Sequence, residues 1–323
     1  MLSRKTVGLV LGSGASRGWA HIGIIEALEE AEIPIDFIAG CSVGAYIGAL
    51  YASGSLASLK EYLLRMDGKK IFSYFDVVFP RSGLLNGSRR VRELFAMHTA
   101  AETFQELSIP LMMVATDLER GEKVVISSGN IVEGLRATMS YPGLFAPVRV
   151  KGRWLVDGGL VDPVPVGVAR AMGASVIIAV DLNSRIISRH KRPDESTGNL
   201  KLIDLSSQEF REEEPDTRSE LIKKMADLYA NAGNNFKQKT NDYLRREATT
   251  PDIVETVMTS ISIMQERITR INLAVDRPDI LIQPRLGEIK MMNFDQVAPA
   301  ILEGHLGVQE KLEDIRTLLT ASE

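Results

Sequence analysis

Along the first half of the chain, apolar residues gather in short continuous runs, each followed by small residues and then by apolar positions at helical spacing. Residues 6–11 (Thr-Val-Gly-Leu-Val-Leu) form the first run and 36–41 (Asp-Phe-Ile-Ala-Gly-Cys) the second. Runs without polar alternation suit strands buried on both faces of a parallel sheet. Between them, Ala20, Ile24, Ala27, Leu28 and Ala31 recur at helical spacing, so the unit reads strand, glycine-rich loop, helix, strand. Leu56, Leu59, Leu63 and Met66 mark an outer helix over 55–66, and Ser88 reads as the cap of a helix over 89–97. Strands are expected at 109–116 and 123–127, then a helix over 131–139 that Pro142-Gly143 closes off. A hairpin over 148–156 turns at Lys151-Gly152-Arg153, and a helix over 164–172 and a strand over 175–181 follow. Strands alternating with helices predict an α/β fold with a mainly parallel central sheet.

The second half is patterned differently. Residues 186–246 are polar, with an acidic stretch over 209–216, and Leu221, Met225 and Leu228 give their second part a helical period. Ile253, Val257, Ile261, Met264, Ile268 and Ile271 then trace one stripe, which predicts a long helix packing that stripe back on the core. A last strand is expected at 279–283 and closing helices at 294–302 and 306–319. No internal repeat is visible. The chain therefore reads as a single domain over 1–323, with its chemistry in 6–182, a variable, partly helical excursion over 186–250 and closing elements over 251–323.

Composition narrows the class. The 323 residues carry 38 lysines and arginines against 42 acidic residues, a net charge of -4, so no basic field invites nucleic acid. A single cysteine, Cys41, excludes an intramolecular disulfide and fits a reducing compartment, which makes the cytoplasm the expected location. The apolar run after Arg4-Lys5 stops at Gly12-Ser13, too short for the core of a signal peptide. No run approaches the roughly 18 residues of a membrane span, so any membrane contact is expected to be peripheral.

Candidate chemistry begins where the second strand ends. Gly40-Cys41-Ser42-Val43-Gly44 joins an apolar run to a small-residue helix, the setting of a nucleophile elbow that lifts one hydroxyl clear of a sheet edge. Gly40 and Gly44 are needed where strand and helix close over the turn, and Ser42 stands at the positive end of the helix dipole. The other loop, Gly12-Ser13-Gly14-Ala15-Ser16-Arg17-Gly18, offers backbone N–H groups beside a helix N-terminus and so reads as an anion site. It lacks the Gly-Lys-Ser/Thr of a phosphate loop, and Arg17 stands where a dinucleotide fingerprint needs its third glycine. An oxyanion hole for acyl transfer and a tight turn without a ligand are the readings left.

The run Leu11-Gly12-Ser13-Gly14-Ala15-Ser16-Arg17-Gly18-Trp19-Ala20-His21-Ile22-Gly23, followed by Gly40-Cys41-Ser42-Val43-Gly44, resembles the patatin-like phospholipase family. Bacterial members of that family usually carry glycines where this chain has Ser13 and Ala15, which leaves the loop backbone less free. Pro142-Gly143-Leu144-Phe145-Ala146-Pro147 is similar to a family segment near the site, and Asp157-Gly158-Gly159 to the family's Asp-Gly-Gly/Ala motif. The resemblance implies a patatin-like three-layer α/β/α fold. It also implies a lipid acyl hydrolase with Ser42 as nucleophile, Asp157 as base and residues 12–18 as the oxyanion loop, acting on a lipid or acyl ester without metal or cofactor.

A Ser-acid-His triad in α/β-hydrolase order would need a histidine after Asp157, and only His190 and His305 follow it, neither at a strand-to-loop junction. His21 comes too early and His98 ends a helix, so a Ser-Asp dyad accounts for the motifs best. Asp117, Asp157 and Asp162 show no metal-ligand spacing. Phe72, Tyr74, Phe75 and Phe79, before Gly83 and Gly87, read as plain core or, alternatively, as a mobile cover over an acyl chain. The competing reading is a patatin-fold protein that binds lipid or regulates a partner without turnover. Nothing in the chain fixes head group, acyl length or oligomeric state.

Overall fold

The structure, a computed structural model, describes residues 4–65, 87–184 and 253–320. The expected aromatic cover over 72–79, the excursion over 186–250 and His190 lie outside the described residues. Nearly all described residues belong to one compact unit, 1–191 with 256–323, and a second unit spans 192–255.

The first apolar run forms β1 (Val7–Leu11) and the second β2 (Phe37–Cys41), joined through a short 3-10 turn and α1 (Ala20–Glu30). Next come α2 (Val43–Ala52), α3 (Leu56–Arg65), α4 (Gly87–Ala96), β3 (Leu111–Asp117), β4 (Glu122–Ile126) and α5 (Ile131–Thr138). β5 (Val148–Val150), β6 (Arg153–Asp157), α6 (Val166–Ala171) and β7 (Val176–Val180) complete the first stretch. α7 (Ile253–Val275), β8 (Ile280–Ile282), α8 (Val297–Gln309) and α9 (Leu312–Thr320) close the fold.

The sheet runs β5-β6-β3-β2-β1-β7-β8, with β4 on β3. β3, β2, β1, β7 and β8 are parallel, and β4, β5 and β6 antiparallel. The β5–β6 hairpin turns through Lys151 at φ 48 and Gly152 at φ 85, both left-handed as a tight hairpin turn requires. One sheet face, including Leu9, Leu11, Ile38, Met113, Ile178 and Val180, packs under α1, α2, α3 and α8. The other, Val10, Ala39, Val114, Ile177 and Ala179, packs on α6 and on Leu273 of α7. Helices on both faces of a mostly parallel sheet give the three-layer α/β/α fold expected from the sequence.

Two elements differ from their sequence reading. The closing helices were placed with a break near Gly304-His305, but α8 runs through both residues. Gly304 is a contact point: a Cβ there would strike the Ala20 carbonyl of α1, as one on Gly23 would strike Ile301 of α8. The second difference is α7. Its apolar stripe does not face the core, since Val257, Met264 and Ile271 are exposed and only Ile261 of the described stripe residues is fully buried. Gln265 and Thr269 are buried instead, and Asn272 bonds the Val161 carbonyl and Asp162. The helix thus turns a polar face inward, over the loop that follows β6.

Candidate active site

β2 and β6 meet end to end along one edge of β3. β2 pairs with β3 as far as Cys41 opposite Val114, and β6 arrives from the other direction with Asp157 opposite Ala115. β4 occupies the far edge of β3, so the residue after Cys41 and the last residue of β6 are brought together. Ser42 Oγ donates to Asp157 Oδ2 at 2.6 Å.

Ser42 sits at φ 54, ψ -124, a conformation costly for a residue with a side chain and sustained only where the surroundings impose it. The surroundings do so. Its N–H donates to Thr138 Oγ1 at 2.8 Å, and that hydroxyl donates to the Val114 carbonyl of β3. A Cβ on Gly40 would come within 2.5 Å of Ala45 Cα, and one on Gly44 would strike the Leu11 carbonyl, so both elbow positions are closed to larger residues. Cys41, next in sequence, is fully buried, and burial pushes its thiol well above the usual range.

Asp157 is fully buried and fixed on every side. Its N–H donates to the Ser140 carbonyl at 3.0 Å, its own carbonyl accepts from Thr116 Oγ1 at 2.8 Å, and Oδ1 accepts from the Gly159 N–H at 2.8 Å. Gly158 fits because a Cβ would collide with the Val114 carbonyl. Burial raises the carboxyl to about 6, against the opposing pull of the bonds from Ser42 and Gly159. Beyond the turn, Asp162 accepts from Lys123 Nζ at 2.9 Å and from Asn272, which ties the loop to β4 and α7.

The glycine-rich loop leaves β1 and is pinned at most of its length. The Gly12 N–H donates to Val180, Ser13 to Pro163, Ser16 to Met291 and Arg17 to Gly14. Within the expected oxyanion loop over 12–18, these four N–H groups are thus committed elsewhere. Among the described residues, the N–H groups of Gly14, Ala15 and Val43 remain without an acceptor, the last being the residue after the elbow serine. Neither departure from the usual glycines disturbs the loop. The Ser13 hydroxyl and carbonyl both accept from Asn183 Nδ2, at 3.2 and 3.0 Å, and Ala15 takes φ 49 as a glycine would.

Arg17 does not serve as a donor to the site. It is buried, with Nε donating to the Ile289 carbonyl at 2.9 Å. His21 is also structural: its Nε2–H donates to the Gly12 carbonyl at 2.8 Å, and burial lowers it to about 4, so it stays neutral. His98 meets Ser58, and His305 lies 3.8 Å from Glu30. Among the described residues no histidine bonds Ser42 or Asp157, and no group of three or more His, Cys, Asp or Glu could hold a metal ion.

Sequence reasoning missed Thr138, Asn183 and Gln265. Asn183 follows the end of β7, on the side of the sheet where parallel α/β proteins gather their sites, and that rule would have drawn attention to it. Thr138 and Gln265 give no such signal, because a hydroxyl at a helix end and a polar residue inside an apolar stripe look ordinary.

The site therefore consists of a strained serine elbow bonded to a buried aspartate, on an α/β fold with a mostly parallel sheet. A family model described as patatin-like phospholipase matches residues 9–170, half of the 323 residues, and the chain belongs to that family. It is 34% identical over 191 residues to mouse patatin-like phospholipase domain-containing protein 6, covering 57% of this chain and 14% of that protein. An uncharacterized NTE family protein of Mycobacterium tuberculosis is 36% identical over 184 residues, 56% of this chain and 50% of that one. Lysophospholipase nte1 of Aspergillus fumigatus is 36% identical over 188 residues, 57% of this chain and 12% of that one. The chain thus spans half or less of the length of these relatives.

Proposed function

We propose that the protein is a serine lipid acyl hydrolase, a single hydrolase domain that cleaves acyl esters through a Ser42–Asp157 dyad. The observation that carries this reading is the 2.6 Å bond from Ser42 Oγ to Asp157 Oδ2 inside the family-matched region. Asp157, raised to about 6, is mostly ionised at neutral pH yet a far better proton acceptor than an exposed carboxylate. It takes the Ser42 proton as Oγ attacks the ester carbonyl. The oxyanion of the tetrahedral intermediate is received by the N–H groups of Gly14, Ala15 and Val43, one such donor being worth about 3 kcal/mol. Collapse expels the alcohol and leaves an acyl-enzyme, which water hydrolyses. Relatives named phospholipase and lysophospholipase make lipid esters the substrate class to test first. Among the described residues no helix is long and apolar enough to cross a membrane.

The competing reading, a binding or regulatory protein, drew on Ser13 and Ala15, and both fit the loop without distorting it. A fluorophosphonate probe separates the two. Wild type and Cys41→Ala are expected to label and Ser42→Ala not to, with hydrolysis of phospholipid, lysophospholipid or neutral esters following the same order. An adduct on Cys41, or an unlabelled wild type, would sink the proposal.

A further inference from the structure

Gln265 of α7 is only 3% exposed. A Cβ built on Gly159 would collide with its Nε2 and stand 3.0 Å from Asp157 Oδ1, so the carboxamide lies over the turn that carries the candidate base. It stands on the Oδ1 side of the carboxylate, where Oδ1 accepts from the Gly159 N–H while Ser42 holds Oδ2. Among the described residues the carboxamide has no hydrogen-bond partner. Thr269 Oγ1, one turn further along α7, is buried and also lacks one. A polar group left unpaired in the interior costs about 1–3 kcal/mol, so an unbonded carboxamide beside the candidate base is suited to hold a ligand there.

We infer that Gln265 is a catalytic residue of the second half-reaction, orienting the water that attacks the acyl-enzyme; the inference rests on the hydrolase reading above. The first half-reaction needs no such help, because Ser42 Oγ is already aligned on Asp157 at 2.6 Å. Once Ser42 is acylated it no longer donates, and Asp157 Oδ2 is free to accept from water. A water held by that single bond is poorly oriented. A carboxamide supplies both an acceptor and a donor, enough to fix the second proton and a lone pair. The water oxygen bonds to the acyl carbon while one O–H bond breaks and its proton passes to Asp157. The intermediate then collapses, the carbon–Oγ bond breaks, Asp157 returns the proton to Ser42 Oγ, and a carboxylic acid leaves.

Stopped-flow hydrolysis of a p-nitrophenyl acyl ester tests this in wild type, Gln265→Met, which keeps an unbranched side chain of similar length over Gly159, and Gln265→Glu. The expected result for Gln265→Met is a burst of one nitrophenolate per site at the wild-type rate. A steady state slowed roughly 10- to 100-fold should follow, with fluorophosphonate labelling unchanged and turnover restored by hydroxylamine, a stronger nucleophile than water. Gln265→Glu, with a second carboxylate beside Asp157, should move the pH midpoint of the steady state upward. A wild-type steady state in Gln265→Met, or burst and steady state slowed by the same factor, overturns the role of Gln265 while leaving the hydrolase reading intact. A wild type that neither labels nor turns over any ester overturns both.

Discussion

Asp157 shows what the site costs at the level of one residue. Its carboxyl is raised from 3.8 to about 6 by burial, so the native state binds that proton more tightly than the unfolded chain does. The resulting stability is fully present below pH 4 and is lost as pH rises through 6; two units correspond to about 3 kcal/mol. Asp157→Asn should therefore unfold at higher denaturant than wild type above pH 7, with the gap closing below pH 4. Urea titrations at both pH values measure it, and a gap of equal size at both would contradict the burial account. The same group should give kcat/KM a rise through about pH 6, lost in Asp157→Asn along with orders of magnitude in kcat. His21 has the opposite sign: held near 4, it withdraws stability as pH falls from 6.5 toward 4. Ala15, at φ 49, carries the cost of a left-handed residue, about 1 kcal/mol, and a glycine there would lose a similar amount through its freer unfolded chain. Ala15→Gly should leave stability within about 1 kcal/mol of wild type, which urea titration measures.

Elements bring these residues together through two kinds of contact. The first is strand pairing, in which β2 and β6 share one edge of β3 and deliver Ser42 and Asp157 to the same point. Gly158, at the end of β6, lies against the Val114 backbone. The second is the close crossing of α1 and α8 through Gly23 and Gly304, where backbone meets backbone. Because the facing atoms are main chain, neither neighbour can swing aside. Gly304→Ala should cost about 3 kcal/mol by forcing the helices apart, whereas Gly121→Ala, in open space at φ 68, should cost about 1 kcal/mol. Thermal melts of the two variants make the comparison, and equal losses would count against the packing argument.

For the molecule as a whole, the family-matched region is not the whole of the machinery. Residues 289–294 hold the glycine-rich loop by three bonds, Met291 from the Ser16 N–H, Lys290 from Ser16 Oγ and Ile289 from Arg17, and the next residue by a fourth, Phe294 from Trp19. β8 covers the edge of β7, and α8 covers α1. A chain ending at residue 184 would expose that edge and the apolar underside of α1. It is expected to lack a cooperative melting transition by circular dichroism, and a sharp transition would show that 253–320 is an accessory rather than part of the core.

The apolar runs, the small-residue elbow and the alternation of strand and helix were legible because each is a local pattern: burial on both faces requires unbroken apolar residues, and a tight turn requires glycine. Ser42, Asp157 and the loop from Gly12 to Gly18 could be read from such patterns and from the family they resemble. The pairing of positions 42 and 157 was legible only through that resemblance and the placing of the histidines, because register along β3, which brings the two together, is a long-range choice that no local spacing encodes. The inward face of α7 was misread for a related reason. An apolar stripe reports only that a surface is apolar, and the structure leaves Val257, Met264 and Ile271 exposed while turning Gln265 and Thr269 onto the loop after Asp157. Which N–H groups of the glycine-rich loop stay free was likewise decided by acceptors far away in the chain, since the carbonyls of Pro163, Val180 and Met291 take three of its donors.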